Sequence, residues 1–158
     1  MKRIIIILAL TFAGISAAKA QNDLLSPDGT YMYERRDTCD LFMDVYEPAK
    51  GSITTFMDRQ KPTVVFMFGG GFIRGTRDDE SYNSWFRMLT ENGYRVISID
   101  YRLGLKGSKK VGVAQVNVLD KAIHMAVEDL FSATAFMIEN AEALNINPEN
   151  IVISGSSA

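Results

Sequence analysis

The run from Cys39 to Tyr46 sets Cys39, Leu41, Met43 and Val45 in alternation with Asp40, Phe42, Asp44 and Tyr46, the period of a strand with one buried face. Glu47-Pro48 closes it, and the polar stretch from Ala49 to Lys61, with Gly51 and Ser52, reads as a surface loop. Thr63 to Phe68 is different: a continuous, mostly apolar, β-rich run between Pro62 and three glycines, as expected of a strand covered on both faces. Arg95 to Asp100 and Ile151 to Ser154 read the same way. Between them, Tyr82, Trp85, Phe86 and Leu89 follow the helical i, i+3, i+4, i+7 spacing, with Gly93 placed to end the helix. A longer helix is predicted from Ile123, Val127, Leu130, Thr134, Met137 or Ile138, and Ala141 on one stripe, ending near Asn145. Buried strands alternating with amphipathic helices predict an α/β fold: a mostly parallel sheet with helices on both faces and an antiparallel N-terminal edge.

The N-terminus departs from this pattern. Met1-Lys2-Arg3 is basic, Ile4 to Leu10 is an unbroken apolar run, and Ala18-Lys19-Ala20 offers small residues at a cleavage site. Residues 1–20 are therefore read as a signal peptide and 21–158 as the folded domain, secreted or periplasmic and without a stable membrane anchor after cleavage. Composition adds exclusions rather than detail. The 158 residues are 47% hydrophobic and 23% charged, with net charge −2, which rules out disorder and coiled coil. With no basic block, nucleic acid is not an expected partner. Cys39 is the sole cysteine, so the chain closes no internal disulfide and builds no cysteine zinc site, and its place in a strand predicts a small buried residue.

Chemistry in an open α/β sheet is sought beyond the carboxyl ends of the parallel strands. Two turns stand there. Phe68-Gly69-Gly70-Gly71-Phe72 puts three residues without Cβ in succession, which lets backbone N–H groups approach an anion or oxyanion. Gly155-Ser156-Ser157-Ala158 supplies four positions of the G-x-S-x-G nucleophile elbow, making Ser157 rather than Ser156 the candidate nucleophile. Either turn alone is a weak signal. Together, each at the end of a buried strand and in this chain order, they are specific.

On these residues the chain resembles the α/β-hydrolase superfamily, in particular its carboxylesterase and lipase branch with an HGGG-type turn. The resemblance runs from about Cys39 to Ala158 and includes LFMDVYEP (41–48), Asp100-Tyr101-Arg102-Leu103, AVED (126–129) and NPENI (147–151). It implies hydrolysis of small or carbohydrate-linked carboxylic esters through an acyl-enzyme on Ser157. The amides of Gly70, Gly71 and Ala158 would form the oxyanion hole, with no metal or organic cofactor. Phe68 stands where many relatives have His. The family's acid and general-base histidine follow the nucleophile, so the chain is expected to be the N-terminal part of an incomplete domain, inactive by itself. His124, the one histidine, lies on the long helix and is read as a surface or half-buried imidazole. Two other functions fit the same residues: a noncatalytic binding module of hydrolase fold, distinguished by replacement of the downstream acid or histidine, and a serine peptidase.

The remaining polar residues are read as structural. Asp100 and Arg102 are expected to pair or to cap backbone groups, Asp129 to support packing under the elbow, and Asp78-Asp79-Glu80 to cap the helix starting near Ser81. Tyr82, Trp85 and Phe86 are assigned to the core. One test belongs to the N-terminus: protein secreted by a bacterial host should begin at Gln21, and retention of Met1 in a membrane fraction would overturn the cleaved signal.

Overall fold

The computed structural model describes residues 24–57, 59–108 and 116–157; residues 1–20, read above as a signal peptide, and Ala158 lie outside them. Its main sheet has five strands in the order β1-β2-β6-β5-β7: β1 (Gly29–Arg36), β2 (Cys39–Tyr46), β5 (Thr63–Met67), β6 (Arg95–Ile99) and β7 (Ile151–Gly155). β1 and β2 run antiparallel to their neighbours, while β5 pairs in parallel with both β6 and β7. A short hairpin, β3 (Thr55–Phe56) with β4 (Arg59–Gln60), forms within the polar stretch read as a loop. Helix α1 (Asn83–Glu91) and helix α2 (Val116–Glu139) complete the elements, with a 3-10 turn at Glu80–Tyr82 leading into α1.

The central strands are buried because they are covered on both sides. Val65, Ile97, Ile99 and Met43 pack with Ala133 and Met137 of α2, while Phe66, Val96 and Tyr46 pack with Phe86 of α1. Phe86 is fully buried, its ring 5.2 Å from those of Phe66 and Tyr46. The predicted stop at Gly93 is present: Gly93 N–H donates to Thr90 O and Tyr94 N–H to Leu89 O, the paired bonds of a Schellman ending.

Four expectations are corrected in detail. The Ile151 run forms β7 as expected, but as the last strand in the described sheet order it is half-exposed, with Val152 at 46% and Ile153 at 49%, rather than covered on both faces. The outer antiparallel strand is β1, which carries one buried residue, Tyr33, and therefore no apolar alternation to find. β2 lies inside, between β1 and β6, so its second half is buried on both faces, Asp44 included. Cys39, at the outer start of β2, is exposed rather than buried. In α2 the buried stripe is Ala122, Ala126, Asp129, Ala133 and Met137, one position round from the stripe expected. Small residues bring the helix close to the sheet and its loops; a Cβ on Gly104 would meet Ala122 Cα at 2.7 Å. Bulkier Ile123 and Val127 are left half-exposed beside Ile153. Asp129 can occupy the buried stripe because Arg102 satisfies it, through its backbone N–H (2.7 Å) and Nε (2.9 Å).

No described helix is long and apolar enough to cross a membrane. Since Phe86 joins α1 to two strands at once, Phe86→Ala should cost about 3–5 kcal/mol of stability, measured as a lowered urea midpoint of the intact protein.

Candidate active site

Parallel pairing aligns the ends of β5 and β7, with Met67 opposite Gly155, so the two turns predicted to carry chemistry leave the sheet side by side. The Ser156 N–H continues the ladder to Met67 O at 3.0 Å, and Gly70 N–H donates to Ser157 O at 3.0 Å. The contact is too close for any side chain: a Cβ on Gly69 would lie 2.3 Å from Ser157 O. At Gly70, with φ of +140°, a Cβ would lie 2.0 Å from Arg74 O, because the chain folds back so that Ile73 and Arg74 N–H both point at Gly70 O. Phe72 follows in the left-handed region, with φ of +58°. Such a conformation costs of order 1 kcal/mol and is held by Leu105 N–H bonding Phe72 O at 3.0 Å.

Two tyrosines support the glycine turn. Tyr101 Oη donates to Phe68 O at 2.8 Å, and its ring stacks on that of Phe68 at 4.4 Å. Burial pushes the Tyr101 phenol up to about 12, so it remains a donor at neutral pH. Tyr82 Oη accepts the Gly69 N–H at 3.1 Å. Tyr82 therefore does more than the core packing read from its helical spacing: its ring meets Phe66 while its hydroxyl reaches the turn. Phe68 is buried and apolar where many α/β-hydrolases carry His, and its role here is to seat the turn on Tyr101.

The turns enclose a cleft of about 690 Å³ whose wall includes Gly69, Gly70, Gly71, Arg74, Tyr82 and Ser157. Ser157 is exposed to it, and among the described residues the Gly71 N–H has no hydrogen-bond partner. The structure thus brings Ser157, Gly70 and Gly71 together, with the Gly70 amide engaged on Ser157 O; Ala158 lies outside the described residues. His124 is elsewhere, on α2 with its side chain 72% exposed and Nδ1 2.8 Å from Asp120 O.

The acids sort as structural groups. Asp79 accepts from Ser81 N–H at 2.9 Å and caps the 3-10 turn, as expected. Asp100 and Arg102 do not pair with each other. Asp100 accepts from Phe42 N–H and pairs with Arg77, whereas Arg102 joins Asp129 and Glu128. Burial raises the Asp100 pKa, and Arg77 pulls against that rise. Nothing in the sequence singles out Arg77, because an arginine in a polar loop carries no local signal of the carboxylates it will meet.

The chain is similar to known esterases in sequence and in fold. Over 118 residues the chain is 29% identical to Esterase-5C of Drosophila pseudoobscura pseudoobscura, covering 75% of this chain and 19% of that protein. A shorter match, 38% over 74 residues, is to the non-reducing polyketide synthase ausA of Emericella nidulans, covering 47% of the chain and 3% of the synthase. Among solved structures, the propionate-bound esterase Est2 of Thermogutta terrifontis superposes with a TM-score of 0.58 at 28% identity, covering 82% of this chain and 41% of that one. The chain thus spans less than half the length of each of these proteins. The family model BD-FAE matches residues 43–158, from the middle of β2 through both turns of the cleft, and the chain belongs to that family, with an α/β-hydrolase fold of the carboxylesterase and lipase branch.

Proposed function

We propose that the whole protein is a secreted or periplasmic serine carboxylesterase acting on small or carbohydrate-linked esters, with Ser157 as its nucleophile. The observation that carries this reading is the contact between the two turns. A serine at the end of β7 faces the cleft beside a run of glycine amides from the end of β5, the two joined by the 3.0 Å bond from Gly70 to Ser157. A small acyl group is favoured by the propionate bound to the Thermogutta esterase.

In this mechanism Ser157 Oγ attacks the ester carbonyl carbon while a general base takes the hydroxyl proton. The carbonyl π-electrons move to oxygen, where the Gly71 and Ala158 amides donate to the developing charge. Gly70 joins them when its N–H exchanges Ser157 O for the oxyanion. Collapse expels the alcohol, which takes up the proton, and leaves an ester on Ser157 that water hydrolyses by the reverse sequence. Removing one such donor typically costs about 3 kcal/mol of transition-state stabilisation. His124 bonds within its own helix and does not line the cleft, so it is given no part in this mechanism.

The test is a fluorophosphonate probe on the full-length protein. Wild type should be labelled at Ser157; Ser157→Ala should lose the label and roughly four to six orders of magnitude of esterase activity. Labelling that persists in the variant would place the nucleophile elsewhere. A folded wild type that neither reacts nor hydrolyses esters would favour the noncatalytic module.

A further inference from the structure

The glycine turn is tied to the sheet by a group that does not line the cleft. Arg77 lies two residues after Gly75 at the far end of the same loop, and two carboxylates from different parts of the sheet close on its guanidinium. Its Nε is 2.9 Å from Asp44 Oδ2, an ion pair without a well-aimed N–H, and its Nη1 donates to Asp100 Oδ2 at 2.9 Å. The Arg77 carbonyl accepts from the buried Ser98 Oγ at 2.7 Å, and the guanidinium lies over the Phe42 ring at 5.6 Å.

Each anchor is itself held. Asp44 is 1% exposed, lies within β2 and accepts from Thr30 Oγ1 at 2.5 Å. Asp100 follows β6 and accepts from Phe42 N–H at 3.1 Å. A buried carboxylate without a cation is strongly disfavoured, so the buried Asp44 and the half-buried Asp100 beside it hold the Arg77 guanidinium between them. That position is transmitted to the turn by contact. Gly75 is pressed against the start of the glycine run, where a Cβ would come within 2.5 Å of both Gly69 O and the Phe68 ring. This contact couples residues 75–77 to Gly69 and so to the neighbouring Gly70, whose N–H faces Ser157.

We propose that Arg77 is a positioning residue for the oxyanion turn, acting through Gly75 and Gly69 with Asp44, Asp100 and Ser98 as its fixed points. The inference rests on the esterase reading above. A positioning role differs from a stabilising one in what it does to kinetics. Donors misplaced by a fraction of an ångström still admit substrate but serve the transition state poorly, so kcat falls while KM changes little.

The experiment uses the full-length enzyme with p-nitrophenyl acetate, and active sites counted by fluorophosphonate so that kcat refers to folded protein. Arg77→Met should lower kcat by about 10- to 100-fold with KM within roughly threefold of wild type. Arg77→Lys should recover part of the loss, because it restores the charge without the fork. Ser98→Ala, which removes one hydrogen bond to the Arg77 carbonyl, should lower kcat severalfold. Arg35→Ala, which removes the exposed ion pair with Asp40, should leave kcat unchanged. A kcat within about twofold of wild type in Arg77→Met and Ser98→Ala, alongside a lowered unfolding midpoint, would overturn the inference and leave Arg77 a stabilising group alone. If Arg77→Met does not fold, Ser98→Ala and Arg77→Lys decide by the same criterion. A wild type unlabelled at Ser157 would overturn the esterase reading and this inference together, whereas labelled wild type with unaffected variants overturns this one alone.

Discussion

The parallel register of β5 and β7 is the constraint on which the cleft depends. Because Met67 and Gly155 are paired, the chain leaves both strands at the same height, and the next residues cannot avoid each other. They meet at backbone distance, with Gly69 against Ser157 O and Gly70 N–H bonded to it. Glycine is required there by the absence of space. A single Cβ at Gly69 would force the turns apart and take the amides away from the serine.

Around that contact the structure places supports of different chemical kinds. Tyr82 and Tyr101 take up the turn's polar groups from the two sides, while Phe68 and Phe72 bury its apolar ones. Farther out, charge is used where packing alone would leave a loop free. Asp44 and Asp100 hold Arg77, and the wholly buried Asp129 holds Arg102 in the segment after β6. Asp44 and Asp129 are buried and Asp100 is half-buried, each with its cation and none of them in the cleft wall, which gives them to geometry. Removal of one partner would leave an uncompensated buried charge, a far larger penalty than the net worth of the pair.

The apolar surface of the molecule is uneven in an informative way. Ile123 and Val127 on α2, with Ile153 on β7, border an open apolar depression of about 380 Å³ behind the serine turn. β7 pairs on one side only among the described strands. Both features explain why the strongest apolar stripe in α2 does not mark its buried face. The helix meets the sheet through alanines, which allow close approach, and its larger residues lie beside that contact.

Much of the fold was legible in the sequence because it rests on local periodicity. The apolar runs at Thr63, Arg95 and Ile151, the α1 stripe and its stop at Gly93 each encode an element within a dozen residues, and their alternation encodes a parallel sheet, although the Ile151 run is half-exposed in β7. The pairing of a glycine run with a serine turn was legible too, since each turn ends its own strand. What no local pattern encodes is which distant residue satisfies a given group. β1 has one buried residue and owes its place to its pairing with β2; Cys39 is exposed because its strand begins outside the packed layer; Asp129 sits on a buried face because Arg102 reaches it. Spacing along the chain is enough to give the elements, their order and the two turns that meet at the cleft. That Tyr82 supports the glycine turn and that Arg77 bridges Asp44 and Asp100 follows from folding alone, since both depend on separations between atoms that the chain brings together only when folded.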